Sequence, residues 1–150
     1  MGNAKLAVLG AMLVWMFSMA CTTSWAQSPK AGECPQPRFT GKAPDEYYLR
    51  KSPLDSPDER LGAQLFGGSG NDGSCAMCHG RKGDGKGPLS KLYDPPPRNF
   101  ACAMTVNGVP DGQLFWIIRF GSPGTAMPPH SQFSDTDVWQ LVAYLRTLAK

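Results

Sequence analysis

Large aliphatic side chains are scarce in this chain. From residue 27 onward Leu, Ile, Val and Phe number 22 of 124, below the level of roughly one-fifth at which an ordinary self-sufficient core becomes doubtful. Gly and Pro supply another 29 of those residues. Charge of one sign is scarce too: the formal net charge is +3, and +2 once Lys5 is set aside. So weak a balance excludes a nucleic-acid binder held by a strong basic field. It also argues against disorder, which pairs few apolar residues with a high net charge. A bound prosthetic group that completes the core reconciles the two observations. No stretch alternates like a strand and no internal repeat is visible, so the reading is one small all-α domain.

No apolar run is long enough for a comfortable membrane span. The longest, Leu6 to Ala20, is broken by Gly10 and Ser18 and is preceded by Lys5 and the amino terminus. Ser24-Trp25-Ala26 follows, with small residues at the two positions a signal peptidase reads. We expect residues 1–26 to be a removed signal peptide and the mature chain to be exported to the periplasm. Two other readings stay open, a retained anchor and a lipid-carrying Cys21, although Ser18 and Met19 make a poor lipoprotein cleavage box.

Residues 27–55 carry Pro29, Pro35, Pro37, Pro44 and Pro53 without a sustained apolar period and read as an irregular proline-rich extension. The domain proper is expected over 56–150. Ser56-Pro57-Asp58-Glu59 reads as a capping hydroxyl, a first-turn proline and a capping-box acid. In the helix that follows, Leu61 and Leu65 share a face and Gly62 permits close approach of another helix, until Gly67, Gly68 and Gly70 stop it. A second helix has Asp111 as cap, Leu114, Phe115, Ile117 and Ile118 as its apolar side and Gly121 as stop. Ser134 caps a third, with Asp135 and Asp137 in its first turn and Val138, Leu141, Val142, Leu145 and Leu148 at helical spacing.

The informative motif lies between the first two helices: Cys75-Ala76-Met77-Cys78-His79. Two thiols three residues apart can each add across a haem vinyl group, and the adjacent imidazole is then carried beneath the iron as proximal ligand. A redox dithiol of the thioredoxin kind needs a strand-helix-strand setting that is absent. Zinc wants four ligands, and outside the motif only Cys34, Cys102, His130 and scattered carboxylates remain. One covalently attached haem c is therefore the expected cofactor.

With that motif the chain resembles the class I c-type cytochromes carrying one haem, over about residues 57–149. Gly62-Ala63-Gln64-Leu65-Phe66 matches the helix that the family crosses over its last one. His79-Gly80 and Gly83-Asp84-Gly85-Lys86-Gly87-Pro88 match the loop that follows the attachment site. Trp139 to Leu148 matches the last helix, with Tyr144 where the family packs an aromatic against the first. The resemblance implies a small helical bundle around the haem. It implies that the carbonyl of Pro88 orients His79 through Nδ1. It also implies a thioether ligand in a loop before the last helix, where Gly124-Thr125-Ala126-Met127-Pro128-Pro129 stands. Met127 is the expected sixth ligand, with Met104 and His130 as the other candidates and Met77 excluded by its place inside the attachment loop.

Arg98, in Pro95-Pro96-Pro97-Arg98-Asn99-Phe100, is a candidate partner for one haem propionate and Trp116 for another. Cys34 and Cys102, the two cysteines that haem does not use, are expected to pair, since the exported setting permits it and their number is even. Arg81, Lys82, Lys86 and Lys91 would form a basic rim for an acidic partner if the loop after His79 borders the haem edge. With both axial positions filled, the expected function is a monomeric one-electron carrier between redox proteins, with no catalytic residue, small-molecule substrate or nucleic-acid partner. Two alternatives remain: a haem sensor or enzyme with an open or displaceable sixth ligand, and a permanent cytochrome subunit of a dehydrogenase or reductase.

Overall fold

The computed structural model describes residues 28–37, 39–68 and 74–150. The expected signal peptide, Cys21 and Gly70 lie outside those residues. Among the described residues there are six helices and no strand: α1 (Asp45–Tyr48), α2 (Glu59–Gly67), α3 (Cys75–His79), α4 (Ala103–Val106), α5 (Asp111–Phe120) and α6 (Asp135–Leu148). A single 3₁₀ turn spans Ser90–Leu92. The all-α reading stands. None of these helices is long and apolar enough to cross a membrane.

Local chemistry accounts for the helix starts. At α6 the hydroxyl of Ser134 accepts from Asp137 N at 3.1 Å, while the Asp137 carboxylate accepts from Ser134 N at 2.9 Å, a reciprocal capping box. α2 starts later than its sequence suggests. Its cap is Asp58, not Ser56, and the Asp58 carboxylate accepts from Arg60 N and Leu61 N at 3.0 and 3.1 Å. The reason is tertiary: Asp58 N donates to Gln140 Oε1 of α6 at 2.6 Å, which leaves Ser56 and Pro57 outside the helix. α5 begins at Asp111 with Pro110 at the cap position. The Asp111 carboxylate accepts from Arg146 of α6 at 2.6 and 2.8 Å, and the same guanidinium also donates to the carbonyls of Val106 and Val109. One arginine thus joins the ends of α4 and α5 to the last helix.

α2 and α6 cross at Gly62, as expected. A Cβ there would lie 2.7 Å from Tyr144 Cβ and closer still to the Gln140 carbonyl oxygen, so only glycine lets the two backbones meet. One turn on, Phe66 packs on Tyr144 with ring centroids 5.5 Å apart. The core continues through Phe115 and Trp139, tilted against each other with ring centroids 4.5 Å apart, and through Val138, Leu141, Val142 and Leu145, all buried.

Residues 28–55 are irregular apart from α1, but they are not a loose tail. Ala43 and Gln36 are buried. The amide of Gln113 in α5 accepts from Ala43 N at 2.7 Å and donates to Gly41 O at 2.9 Å. Tyr47 meets Phe120 edge-on at 5.2 Å. Cys34 is bonded to Cys102 just ahead of α4, the expected pairing. The segment therefore forms part of the domain wall, which its proline content conceals.

Candidate functional site

α3, the proline-rich run 95–100, α5, α6 and the loop 122–130 enclose a cavity of about 930 Å³. Cys75, Cys78 and His79 line it from α3, Gln113, Leu114, Ile117 and Ile118 from α5, and Leu141 and Leu145 from α6. Most of this wall is apolar. A space of this size between helices already in contact explains how so few large aliphatics suffice: the core is built to receive a large apolar guest.

α3 sets the geometry of the attachment motif. One turn of helix puts Cys75 and Cys78, three residues apart, on one side, with His79 next along. Gly80, at φ 79°, then turns the chain away. Gly87 returns the loop to the end of α3, donating to Cys78 O at 3.1 Å. A Cβ on Gly87 would lie 2.6 Å from that oxygen and 2.7 Å from Ala76 O. Burial pushes the Cys75 thiol up to about 11 and raises Cys78 in the same direction. A redox dithiol requires the opposite, a lowered thiol in an electropositive setting.

His79 is buried, tilted on Phe100 with ring centroids 4.6 Å apart and flanked by Phe66. Its Nδ1 lies 2.9 Å from the carbonyl oxygen of Arg98. The resemblance assigned that carbonyl to Pro88, and the structure corrects it. Pro88 is exposed at the end of α3, because Gly87 N and Leu89 N are held by the carbonyls of Cys78 and Met77. The carbonyl that reaches the imidazole comes from beyond the next prolines, Pro95-Pro96-Pro97. A donating Nδ1–H puts the lone pair on Nε2, the nitrogen that ligates in this tautomer. The only sequence signal for Arg98 in this role is the proline run itself, which stiffens the backbone that delivers the carbonyl.

Met127 lines the cavity on the loop between α5 and α6. Its backbone is pinned on both sides: Met127 N donates to Thr125 Oγ1 at 3.2 Å and Met127 O accepts from Ser122 N at 3.2 Å. His130 also lines the cavity. Its N donates to Ile118 O at 3.1 Å, its ring stacks on Phe133 at 5.9 Å, and burial lowers its pKa, which keeps the imidazole neutral at pH 7. Met104 is 71% exposed and does not line the cavity.

Three further groups are placed around the cavity or away from it. Trp116 is not among the cavity-lining residues. The stripe Gln113, Leu114, Ile117 and Ile118 faces the cavity, and at 100° per residue Trp116 sits about 130° round the helix from its centre, half-buried against Phe120. Arg98 does line the cavity, but its guanidinium donates to Gln36 O at 3.1 Å and Thr40 Oγ1 at 2.6 Å, both in the extension. Arg81, Lys82, Lys86 and Lys91 are exposed, yet none lines the cavity. Their loop runs instead against the extension, where a Cβ on Gly85 would lie 3.3 Å from Gly32 N, and against Leu148 of α6 beside Gly83. Lys42 lines the cavity instead, paired with Asp45 at 2.6 Å.

These residues fit a covalently held haem. The cavity has the volume, two thiols share its wall with a buried imidazole of fixed tautomer, and a thioether lines it from a separate, pinned loop. Comparison with known proteins agrees. A family model described as cytochrome c matches residues 60–149. Among solved structures, a chain of the Kuenenia stuttgartiensis reducing HAO-like protein complex Kustc0457/Kustc0458 is similar at 27% identity and a TM-score of 0.54 over 66% of this chain. The match covers 48% of that neighbour, so this chain corresponds to about half of it. No curated protein sequence matches.

Proposed function

The chain belongs to the cytochrome c family, whose chemistry is haem-based electron transfer, and from that premise we propose an exported one-electron carrier with one haem and His79/Met127 ligation. One observation carries the reading: Cys75, Cys78 and His79 on one short helix and Met127 on a separate, pinned loop line the same apolar cavity. A haem held there supplies an iron that cycles between Fe(II) and Fe(III). Cys75 and Cys78 would anchor the porphyrin, and His79, oriented by the Arg98 carbonyl, would ligate the iron through Nε2. Met127 would supply a soft thioether as the second iron ligand, which would favour the ferrous state relative to a second imidazole. Leu114, Ile118, Leu141 and Leu145 exclude water from the ring. The backbone bonds that pin Met127 to Thr125 and Ser122 would keep this ligand in place through the redox cycle. Partners are other redox proteins that meet the carrier transiently in the periplasm.

A second reading, a cytochrome subunit of a larger oxidoreductase, draws support from the structural neighbour, which is itself a chain of a complex. Two measurements separate the readings. Carbon monoxide added to the reduced protein is expected to bind slowly and incompletely; rapid, complete binding would mean an open or readily displaced sixth position. On size exclusion the native protein is expected to elute as a monomer, and co-elution with a larger oxidoreductase would overturn the shuttle.

A further inference from the structure

The extension reaches His79 through the peptide group joining residues 98 and 99. Arg98 O, which accepts from His79 Nδ1 at 2.9 Å, and Asn99 N belong to the same peptide plane, the one joining residues 98 and 99. Asn99 N donates to Gln36 Oε1 at 3.1 Å. In a trans peptide the C=O and N–H point to opposite sides, so the imidazole binds one side and Gln36 the other. Gln36 Nε2 also donates to Pro97 O at 3.1 Å, so its amide grips the backbone on both sides of Arg98. All three members are shielded from water: Gln36, His79 and Asn99 are each less than a tenth exposed.

Everything around Gln36 holds it in place. Its N donates to Thr105 Oγ1 at 3.2 Å, its carbonyl accepts from Arg98 Nη1, and Cys34, two residues earlier, is bonded to Cys102. Asn99 Nδ2 in turn donates to Gly32 O at 3.0 Å and Glu33 O at 3.3 Å. The extension is thus strapped across the backbone that supplies the imidazole's acceptor.

We propose that Gln36 is a positioning residue for electron transfer: its side-chain amide fixes and polarises the 98–99 peptide group whose carbonyl accepts from His79 Nδ1, and so tunes the haem potential from the extension. Hydrogen bonds in series through one peptide strengthen each other in a low-dielectric interior. With Gln36 Oε1 drawing on Asn99 N–H, the Arg98 carbonyl becomes a stronger acceptor. His79 becomes a more electron-rich ligand, and Fe(III) is stabilised. The inference rests on the haem reading of the site.

Spectroelectrochemistry of the purified holoprotein and of two variants at pH 8 tests it. Gln36→Leu removes the acceptor and is expected to shift the Fe(II)/Fe(III) ratio at fixed potential about two- to threefold toward Fe(II). That corresponds to ~20–30 mV upward at 59 mV per tenfold for one electron. Gln36→Glu supplies a stronger acceptor and is expected to shift it the other way. Opposite signs carry the proposal, because general loosening of the extension moves both variants in one direction. Unchanged potentials, or shifts of the same sign, overturn it. Should either variant fail to fold, native-protein NMR decides. In the reduced state the Asn99 amide proton and the His79 Nδ1 proton are expected to resist exchange together, and rapid exchange at Asn99 overturns the relay. A purified chain without covalent haem refutes the reading beneath it, a result distinct from an unmoved potential.

Discussion

Replacing Gly62 with alanine sets two known effects against each other. In a helix interior alanine is preferred over glycine by about 0.8–1 kcal/mol, so local propensity alone makes the variant more stable. The crossing of α2 and α6 opposes this. The added Cβ lands 2.7 Å from Tyr144 Cβ and 2.9 Å from the Gln140 carbonyl carbon, with the Gln140 oxygen nearer still. Two of these atoms are backbone, so rotamer changes cannot relieve the overlap and the helices must separate. Separation strains the 2.6 Å bond from Asp58 N to Gln140 Oε1 that ties the start of α2 to α6 and parts Phe66 from Tyr144. Overpacking of this kind typically costs about 1–3 kcal/mol, and weakening the Asp58–Gln140 hydrogen bond adds about 1 kcal/mol. Setting the propensity gain against these, the net expectation is a loss of about 2 kcal/mol, or a melting temperature lower by ~8 °C for a domain of this size. Gly67, in the same helix, is the control, since a Cβ there meets nothing within 4 Å among the described residues. The assay is thermal unfolding of the two holoproteins followed in the Soret band. Gly67→Ala should melt at or above the parent temperature. Gly62→Ala melting as high as Gly67→Ala would refute the close-approach reasoning.

Three further outcomes are expected. Met127→Ala should leave haem attached but lower the potential and open the iron to rapid carbon monoxide binding, checked by titrating the reduced protein; unaltered binding would move the ligand to His130 or elsewhere. Joint replacement of Cys34 and Cys102 by serine should cost up to about 4 kcal/mol in the chain-entropy model for a loop of this length, read as a lower denaturant midpoint with the haem spectrum intact. His130 has a pKa lowered by burial, so below its ordinary 6.5 the unfolded chain takes up a proton that the folded chain refuses. Stability should therefore fall as pH drops from 6.5 toward the folded-state value, and His130→Gln should flatten that part of the curve in denaturant titrations.

Signals that are local along the chain can be read without the fold. Ser134 and Asp137 announce α6, the Cys75–His79 spacing announces the attachment site, and Gly62 with Tyr144 announces the helix crossing. Signals that depend on a distant partner cannot. Ser56 has the chemistry of a cap, yet Gln140, more than eighty residues away, hands the position to Asp58. Pro88 stands where a carbonyl acceptor for His79 is expected, and the acceptor comes from Arg98 because the loop glycines bind the end of α3. Trp116 has the right chemistry for a propionate but the wrong side of α5. Besides the Cys34–Cys102 link and the Tyr47–Phe120 contact, the extension docks through the polar side chains of Gln36, Thr40, Asn99 and Gln113, and no hydrophobic period marks polar side chains used in this way.

The central claim is a haem held covalently by Cys75 and Cys78 in this cavity. Its most direct test is the fate of haem on acid-acetone extraction of protein produced with a haem-maturation system, followed by the denatured mass. The account predicts a Soret band that stays with the protein and a mass increased by one haem, lost when both cysteines are replaced by alanine along with most of the folded chain. Haem that extracts into the solvent, or a compact, cooperatively melting protein with no haem mass, would contradict it.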